Sequence, residues 1–405
     1  MRIKAIFLIL LLAPPALASA QSLEECLDYA FSHSLRMQQA DLMAERARTM
    51  EKTAFEMSPT SLSLSQDPTS GGSPDNALIL SQEFDFPSVY AGRRKVLQAG
   101  TAVEEKRREL TCSELRRDVS AAYCTLLARM HVVELLENNA KVLEQFVDMA
   151  RSRLEAGEAG RLEMLGATRL KAANDIRLRE AQNRRREASL DLQLLMNSDS
   201  EIVPSDSYVP VAEICAEYSF GSTPAGALSL SEIGLSQQSL TLVRQEGFLP
   251  SFNVGLRRQM VLGAVNPYGV DRSRFEGGNW MGFEAGIAMP LFFGPQRKKV
   301  AAAKLDVEIA RSQLEQKQNE AEAALTAATG RLDTARETYD YYVSEALPEA
   351  QELRKLSSLE YASGDISYVE YMQNLSTALE TELDASEAAD KLNQAIIEMN
   401  YIKGY

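Results

Sequence analysis

The strongest constraint in this sequence is that one pattern of segments occurs twice along the chain. Residues 92–96 (GRRKV) correspond to residues 296–300 (QRKKV), and residues 153–158 correspond to residues 360–365. The second copy follows the first at a nearly constant spacing of about 204 to 207 residues. Each copy is predicted to contain a helix, two short strands, a very long helix, a Gly-containing turn and a closing helix.

Proline, glycine and polar clusters set the predicted boundaries of these copies. We predict a signal peptide, a first repeat, a connecting segment and a second repeat at residues 1–20, 21–197, 198–226 and 227–405. Pro59 and Pro250 precede the first strand of each copy, and Pro87 and Pro290 follow the second. Such junctions tolerate proline because its missing N–H is not needed there.

The first twenty residues predict export from the cytoplasm. Arg2 and Lys4 precede an apolar run at 5–12 and small residues at 18–20, which is the layout of a cleavable secretory signal. Beyond this segment no window approaches about 18 uninterrupted apolar residues, so no membrane-spanning helix is expected. The formal net charge of -14 argues against nucleic acid as a partner.

Few side chains are available for catalysis or for metal binding. His33 and His131 are the only histidines, and no Cys-x-x-Cys, Gly-x-Ser-x-Gly or phosphate-loop pattern occurs. We therefore expect no enzymatic activity, no cofactor and no metal site.

Four cysteines in an exported chain raise the question of disulfides. Cys112 and Cys124 are separated by about 18 Å along a predicted helix, which is too far for a bond between them. A bond of Cys26 with Cys215, or of either with a helix cysteine, stays open. We expect buried free thiols instead.

Two long segments repeat apolar residues at alternating spacings of three and four, which is typical of a coiled-coil seam. The first, from Val89 to Leu154, would extend about 100 Å as one helix and must pair along its length. Its row consists of Val119, Ala122, Leu126, Arg129, Val133, Leu136, Ala140, Leu143, Val147, Ala150 and Leu154. The second row consists of Leu325, Ala328, Leu332, Ala335, Tyr339, Tyr342, Ala346, Glu349, Leu353 and Leu356.

Four short segments alternate apolar and polar residues, as strands with one apolar face do. Each has nearly the 9–11 residues of a tilted membrane strand, although a soluble half-buried sheet shows the same alternation. Four strands cannot close a barrel, so the export signal and the lack of covering helices favour a barrel shared between copies. The predicted lipid-facing residues are Leu78, Leu80, Phe84, Phe86, Phe252, Val254, Met281 and Phe283.

The chain resembles the TolC family of outer-membrane efflux channels. This resemblance rests on the duplicated layout, the proline junctions, the Leu-x-x-Gly and Tyr-x-x-Gly turns and the opening residues 22–30 (SLEECLDYA). It implies a mainly α fold whose long coiled-coil helices form an α-barrel, in a homotrimer that shares a twelve-stranded β-barrel in the outer membrane. Most of the chain would then lie in the periplasm.

The resemblance also implies a function and partners. The chain would be the exit channel of a tripartite efflux system, passively conducting substrates from an inner-membrane pump and its periplasmic adaptor to the exterior. The adaptor would dock at the two helix–helix turns, which here contain Leu154, Gly157, Gly364 and Asp365. Glycine as a helix C-cap is a simpler role for the two glycines, and the two roles are compatible.

The resemblance assigns a periplasmic gate to residues near these turns. Tyr361 matches the gate tyrosine of the family's archetype, Glu370 a pore-lining aspartate, and Glu163 the corresponding acidic position of the first copy. Two positions depart from the archetype, because Gln373 replaces a second acidic ring residue and Ile366 replaces a gate arginine. Solvated helix carboxylates are the alternative interpretation of both glutamates.

Two other classes of protein remain as alternatives, a periplasmic coiled-coil adaptor and a structural protein of an export complex. An adaptor has one helical hairpin inside a β-rich body. This sequence predicts two hairpins with paired strands between them, and so favours the channel.

Overall fold

The computed structural model of the chain describes residues 20–68, 74–157, 160–214, 217–261, 280–289 and 291–405. The predicted signal peptide, apart from its last residue, lies outside the described residues, as do Glu158, Cys215 and Pro290. The described residues are mainly helical and contain one four-stranded antiparallel sheet and one short two-stranded sheet. The predicted mainly α fold with a small sheet is therefore confirmed.

The described residues form eight α-helices. They are α1 (Leu23–His33), α2 (Leu35–Glu51), α3 (Pro87–Glu155), α4 (Arg161–Met196), α5 (Pro224–Phe248), α6 (Phe293–Tyr341), α7 (Leu347–Ser363) and α8 (Tyr368–Ile402). Helix α3 has 69 residues, in agreement with the long helix that the sequence predicts. It begins at Pro87, a position where the missing N–H of proline costs no helical hydrogen bond.

The strands form two separate sheets. In the smaller, β1 (Ala20–Gln21) pairs in parallel with β4 (Val203–Pro204). The larger contains β2 (Ser61–Pro68), β3 (Pro74–Phe84), β5 (Ser251–Val261) and β6 (Trp280–Ala288) in the order β2-β3-β5-β6. All of its neighbouring strands are antiparallel.

The chain divides into two compact units. The first contains the described residues up to Ala40 together with Glu109–Pro224 and Gln318–Tyr405, and the second contains Asp41–Arg108 and Ala225–Lys317. The two hairpins α3–α4 and α7–α8 meet in the first unit, and the four-stranded sheet belongs to the second.

In the first unit, α1 and α4 pack against α3. Leu115, Val119 and Leu126 of α3 are buried with Leu192 and Cys26 in one apolar cluster. Nearby, the Tyr123 hydroxyl donates to the backbone oxygen of Gln21 and to Asp206 Oδ2, each at 2.9 Å. Cys26, Cys112 and Cys124 are free thiols, and burial raises the pKa of Cys26 to about 11.

The α3–α4 pair has a fully buried polar contact in its interface. Asn139 and Asn174 are both buried, and the Asn139 side-chain amide donates to Asn174 Oδ1 at 2.8 Å. Asn174 in turn donates to the backbone oxygen of Leu136 at 3.1 Å. Because these buried amides are paired with each other, a shift of the register between the helices would break the pair.

The predicted apolar row of α3 is confirmed, while that of the second copy is wrong in its last part. Ala328, Leu332 and Ala346 are buried as expected. A π-helical turn at Tyr342–Ala346 then adds one residue to the helix, and the buried row continues at Ala350, Ser357 and Tyr361. Glu349 and Leu356 of the predicted row are consequently exposed.

One described helix, α3, is long and apolar enough to cross a membrane by length and composition alone. The sequence had indicated none. Its most apolar 18-residue window has a mean hydropathy of 1.3 and is 44% buried within the protein. Because several apolar residues of α3 already pack against α1 and α4, we interpret this window as part of a helical core.

Candidate functional site

The register of the four-stranded sheet places the predicted lipid-facing residues of the strands on one face. Residues that pair directly across antiparallel strands lie on the same side of the sheet. Leu80 pairs with Leu256, which in turn pairs with Phe283, and Phe84 pairs with Phe252. Leu78, Val254 and Met281 follow on this face at intervals of two residues. Phe86 lies beyond β3, with its ring 6.1 Å from that of Phe252.

This apolar face is uncovered in the single chain. Phe283 is 82% exposed and Met281 is 76% exposed. Leu62 and Leu64 on β2 extend the exposed apolar area to the edge strand. Gln82 and Arg258 are polar residues on this face. An exposed apolar surface this continuous is typical of a site that contacts lipid or another protein.

The opposite face of the sheet is polar. Ser61 and Ser81 are hydrogen-bonded across β2 and β3 at 2.7 Å. Ser251 donates to Glu83 Oε1 at 2.8 Å, and Glu284 projects from β6 on the same side. The sheet therefore has one apolar and one polar face, and the outer edges of β2 and β6 pair with no other described strand.

The second candidate region lies in the first unit, where α3–α4 and α7–α8 turn. We call the turn at Gly157 tip 1 and the turn at Gly364 tip 2. Gly157 has φ +77° and Gly364 has φ +87°, which are left-handed conformations that glycine adopts without a steric penalty. At tip 2, the N–H groups of Gly364 and Asp365 donate to the backbone oxygens of Tyr361 and Glu360. The predicted caps are therefore present.

Tyr361 links tip 2 to tip 1. Its hydroxyl donates to Glu163 Oε1, and Arg153 Nη1 lies 3.6 Å from that same oxygen. The Arg153 guanidinium also lies over the Tyr361 ring, 5.4 Å from its centroid. Burial and the hydrogen bond to the Glu163 carboxylate raise the pKa of Tyr361 to about 12. We call these three residues the tip lock.

The ring of Tyr361 is held by two further aromatic residues. It stacks on Tyr371 with ring centroids 4.6 Å apart and an interplanar angle of 5°. Phe146 meets both rings, at 5.6 Å from Tyr361 and 5.3 Å from Tyr371. All three side chains are buried, so the tip lock rests on an apolar base that excludes water from one side.

Glu370 is not part of this cluster. Ser367 Oγ accepts from the Glu370 N–H at 3.3 Å, and Glu370 Oε2 accepts from the Ser367 N–H at 2.8 Å, which together form a capping box at the start of α8. These hydrogen bonds hold the pKa of Glu370 below its usual value. Its carboxylate is exposed, as is Gln373 one turn later.

The other predicted tip residues have simple environments. Leu154 is half-buried, and Asp365 is exposed and accepts a hydrogen bond from Ser363. Ile366, which replaces the archetype's gate arginine, packs against the apolar cluster of Phe146 and Tyr371. Sequence reasoning thus found Tyr361 and Glu163 of the tip lock and missed Arg153. The charge of Arg153 beside the Gly157 turn is the only local signal for it.

No group of three or more His, Cys, Asp or Glu side chains in the described part of the chain is arranged to hold a metal ion. The contacts at the tips are hydrogen bonds, an ion pair and aromatic stacking. Such contacts can hold two helical hairpins together or release them.

Comparison with solved structures identifies proteins that share this fold. The MtrE outer membrane channel of Neisseria gonorrhoeae, solved in its open state, is 18% identical, with a TM-score of 0.77 over 94% of this chain and 88% of that one. The CmeC outer membrane channel of Campylobacter jejuni is 15% identical, with a TM-score of 0.74 over 94% and 85%. A membrane protein from Pseudomonas aeruginosa is 16% identical, with a TM-score of 0.77 over 97% and 98%.

These likenesses show that the chain has the fold of outer-membrane channels over nearly its whole described length. No protein-family model matches the chain, and no curated protein matches it in sequence.

Proposed function

We propose that the chain is a TolC-like outer-membrane exit channel of a tripartite efflux system. It works as a homotrimer that conducts substrates passively from a periplasmic adaptor and an inner-membrane pump to the exterior. It carries out no catalysis, and most of the chain lies in the periplasm. The fold shared with MtrE and CmeC supports this proposal.

The observation that carries the proposal is the amphipathic four-stranded sheet. Its apolar face is exposed and its two outer strands have unpaired edges among the described residues. Unpaired strand edges are not viable in lipid, because each free N–H and C=O costs several kcal/mol there. Three copies would supply the twelve strands of one barrel, removing every edge and placing the apolar face toward lipid and the polar face toward the lumen.

The tip lock supports a gate at the periplasmic end. Arg153 and Glu163 belong to the first hairpin, and Tyr361 belongs to the second. A closed tip in which the lock holds the hairpins together would open when the adaptor docks at the turns of Gly157 and Gly364. Glu370 and Gln373 would then face the pore.

A pair of neighbouring residues on β6 tests the barrel. Phe283→Arg places a charge on the proposed lipid face and should cost about 2–4 kcal/mol near the bilayer centre. Glu284→Arg, on the polar face, is the matched control and should be tolerated. We expect heat-resistant trimers in outer-membrane fractions for the wild type and for Glu284→Arg, and their loss for Phe283→Arg.

Equal tolerance of the two substitutions would contradict the barrel. Recovery of the wild-type protein as a soluble periplasmic monomer would instead support the adaptor class.

A further inference from the structure

A cavity of about 280 Å³ lies in the first unit, where α3, α4 and α8 meet. Cavities of about 150 Å³ in engineered protein cores hold a benzene molecule. The apolar floor of this larger cavity contains the buried Ala128, Leu136 and Ala181 and the half-buried Val132 and Leu383. The cavity therefore has room for an apolar group about the size of two fused rings.

Three arginines line the same cavity. Arg129 comes from α3, and Arg177 and Arg184 come from α4, where they lie about two helical turns apart. Within the described part of the chain, none of the three donates a side-chain hydrogen bond or forms an ion pair. Their guanidinium groups are therefore available to a ligand.

Arg129 is the only charged residue in the apolar row of α3, and it is half-buried. A guanidinium that is partly removed from water costs free energy unless an anion or hydrogen-bond acceptors compensate it. The charge of Arg129 favours the ionised forms of Asp390 and Glu387 on α8, but it forms an ion pair with neither. Arg129 therefore retains the capacity to hold an anionic partner.

The carboxylates around the cavity do not neutralise the arginines. Glu387 is paired with Lys391 at 2.7 Å. Asp390 accepts from Gln394 Nε2 at 3.4 Å, and burial raises its pKa. Glu180 is exposed at the mouth of the cavity. Three guanidinium groups thus face two carboxylates that have no lysine partner, which leaves one positive charge for a ligand to balance.

Ser386 on α8 independently indicates a missing partner. It is 3% exposed and lines the cavity, and its buried hydroxyl has no hydrogen-bond partner among the described residues. Its backbone oxygen already accepts from the Tyr208 hydroxyl at 2.6 Å. Native proteins seldom leave a buried hydroxyl unsatisfied, because its desolvation then goes uncompensated. A carboxylate in the cavity would accept a hydrogen bond from it.

We propose that this cavity binds a small organic monoanion, a carboxylate with an apolar body of about two rings. The carboxylate accepts from the Arg129 guanidinium and the Ser386 hydroxyl, while Arg177 and Arg184 add attraction at the mouth. The apolar body lies on the apolar floor.

This site goes beyond passive conduction and is separate from the tip lock. Arg129 lies 24 residues before Arg153 on α3, or about 36 Å along the helix. The cavity is formed by α3 and α4 of the first hairpin and by α8 of the second. A bound anion therefore fastens the two hairpins to each other at a distance from the tips.

Calorimetric titration of the purified full-length protein with 1-naphthoate, in a nonionic detergent, tests the site. We expect one molecule to bind per chain, with an affinity that falls as the salt concentration rises. The neutral 1-naphthamide keeps the two rings and loses the charge. It should bind about tenfold more weakly, because hydrogen bonds from arginine to a charged acceptor are the stronger ones.

Substitutions in and beside the cavity sharpen this test. Arg129→Gln should weaken the binding of 1-naphthoate about tenfold. Arg185→Gln is the matched control and should bind like the wild type, because Arg185 is exposed beside Arg184 and does not line the cavity. Ser386→Ala should also weaken binding, yet it should not lower the thermal stability of the free protein, since the hydroxyl that is lost has no partner.

Two results would overturn the site. Equal affinity of the wild type and Arg129→Gln, or equal affinity for the acid and the amide, would show that the cavity does not recognise an anion. Protein that conducts ions in bilayers but binds no 1-naphthoate would overturn the anion site and leave the proposed exit channel intact.

Discussion

Tip 1 and tip 2 have the same layout and use the same acidic position differently. Glu163 and Glu370 are each the third residue of the helix that follows the turn. Glu163 turns away from its own helix, accepts from the Tyr361 hydroxyl and lies near Arg153, and its side chain is only 12% exposed. Glu370 stays exposed and caps its own helix.

The residue before each helix explains this difference. Ser367 has a hydroxyl that accepts from the Glu370 N–H, and the Glu370 carboxylate completes the capping box. Gly160 is the N-cap of α4 and makes no side-chain cap. The Glu163 carboxylate accepts from the Tyr361 hydroxyl and not from the Gly160 N–H at its own N-cap. Glu370 therefore caps its own helix, whereas Glu163 links two hairpins.

We expect the largest effect from removing the ring of Tyr361 at tip 2, because the corresponding residue at tip 1 is Leu154. Tyr361→Ala should reduce the local stability of the tips by about 3–5 kcal/mol, because a buried ring is lost from the stack with Phe146 and Tyr371. Leu154→Ala, the equivalent change at tip 1, removes a half-buried side chain and should cost less. Hydrogen exchange of tip peptides measures both. Similar losses in the two variants would show that the tips are equivalent.

The two glycines test whether the tip lock depends more on the turn at tip 2 than on the turn at tip 1. Valine at Gly364 or Gly157 should cost about 1–2 kcal/mol locally, because a side chain is strained in the left-handed conformation. Only Gly364→Val should also expose Tyr361, which lies one turn before it, and weaken efflux while trimers remain. Normal efflux by Gly364→Val at wild-type expression would show that this turn is not a docking site.

Substitutions at the two N-caps test what orients Glu163 and Glu370. Ser367→Ala should destabilise the start of α8 by about 1 kcal/mol, since the capping box is lost. Gly160→Ser offers Glu163 a capping box of its own and should draw it away from Tyr361. Faster hydrogen exchange at Tyr361 in Gly160→Ser is the expected result. An unchanged exchange rate would mean that burial, and not the missing cap, orients Glu163.

The smallest effects concern pH, and Glu370 and Tyr361, which both lie at tip 2, give effects of opposite sign. The pKa of Glu370 is lowered in the folded protein. Its contribution to stability is therefore present above the usual glutamate pKa and is lost as the pH falls through the folded-state pKa. The pKa of Tyr361 is raised from 10.0 to about 12. Its contribution to stability is therefore present below pH 10 and is lost as the pH rises from about 10 to about 12. Glu370→Gln should abolish the acid response of tip 2 in hydrogen exchange. Tyr361→Phe should weaken the alkaline response.

The features that the sequence predicted correctly are those set by local periodicity. The row of α3 and the alternation of residues 78–84 depend on spacing alone, and both agree with the structure. The capping box of Glu370 is equally local, because Ser367 precedes it by three residues, yet it was not predicted, since Glu370 was assigned to the pore.

The features that were missed depend on structure beyond the local pattern. The contact of Tyr361 with Glu163 joins residues 198 positions apart, and Arg153 completes it from a third helix. The π-helical turn at Tyr342–Ala346 changes the phase of α7 by one residue, so a seam extrapolated from Leu332 ends on the wrong side at Leu356. Periodicity alone does not show where such a residue is inserted.

Ion conductance of the purified trimer in planar bilayers tests whether the protein is a channel closed by the tip lock. We expect low conductance for the wild type, because the tip lock holds the hairpins together, and higher conductance for Tyr361→Phe and Glu163→Gln. Tyr371→Phe keeps the aromatic stack and leaves the tip lock intact, and should conduct like the wild type. Trimers that insert into the bilayer but never conduct, even with Tyr361→Ala, would contradict the assignment of this protein as a channel.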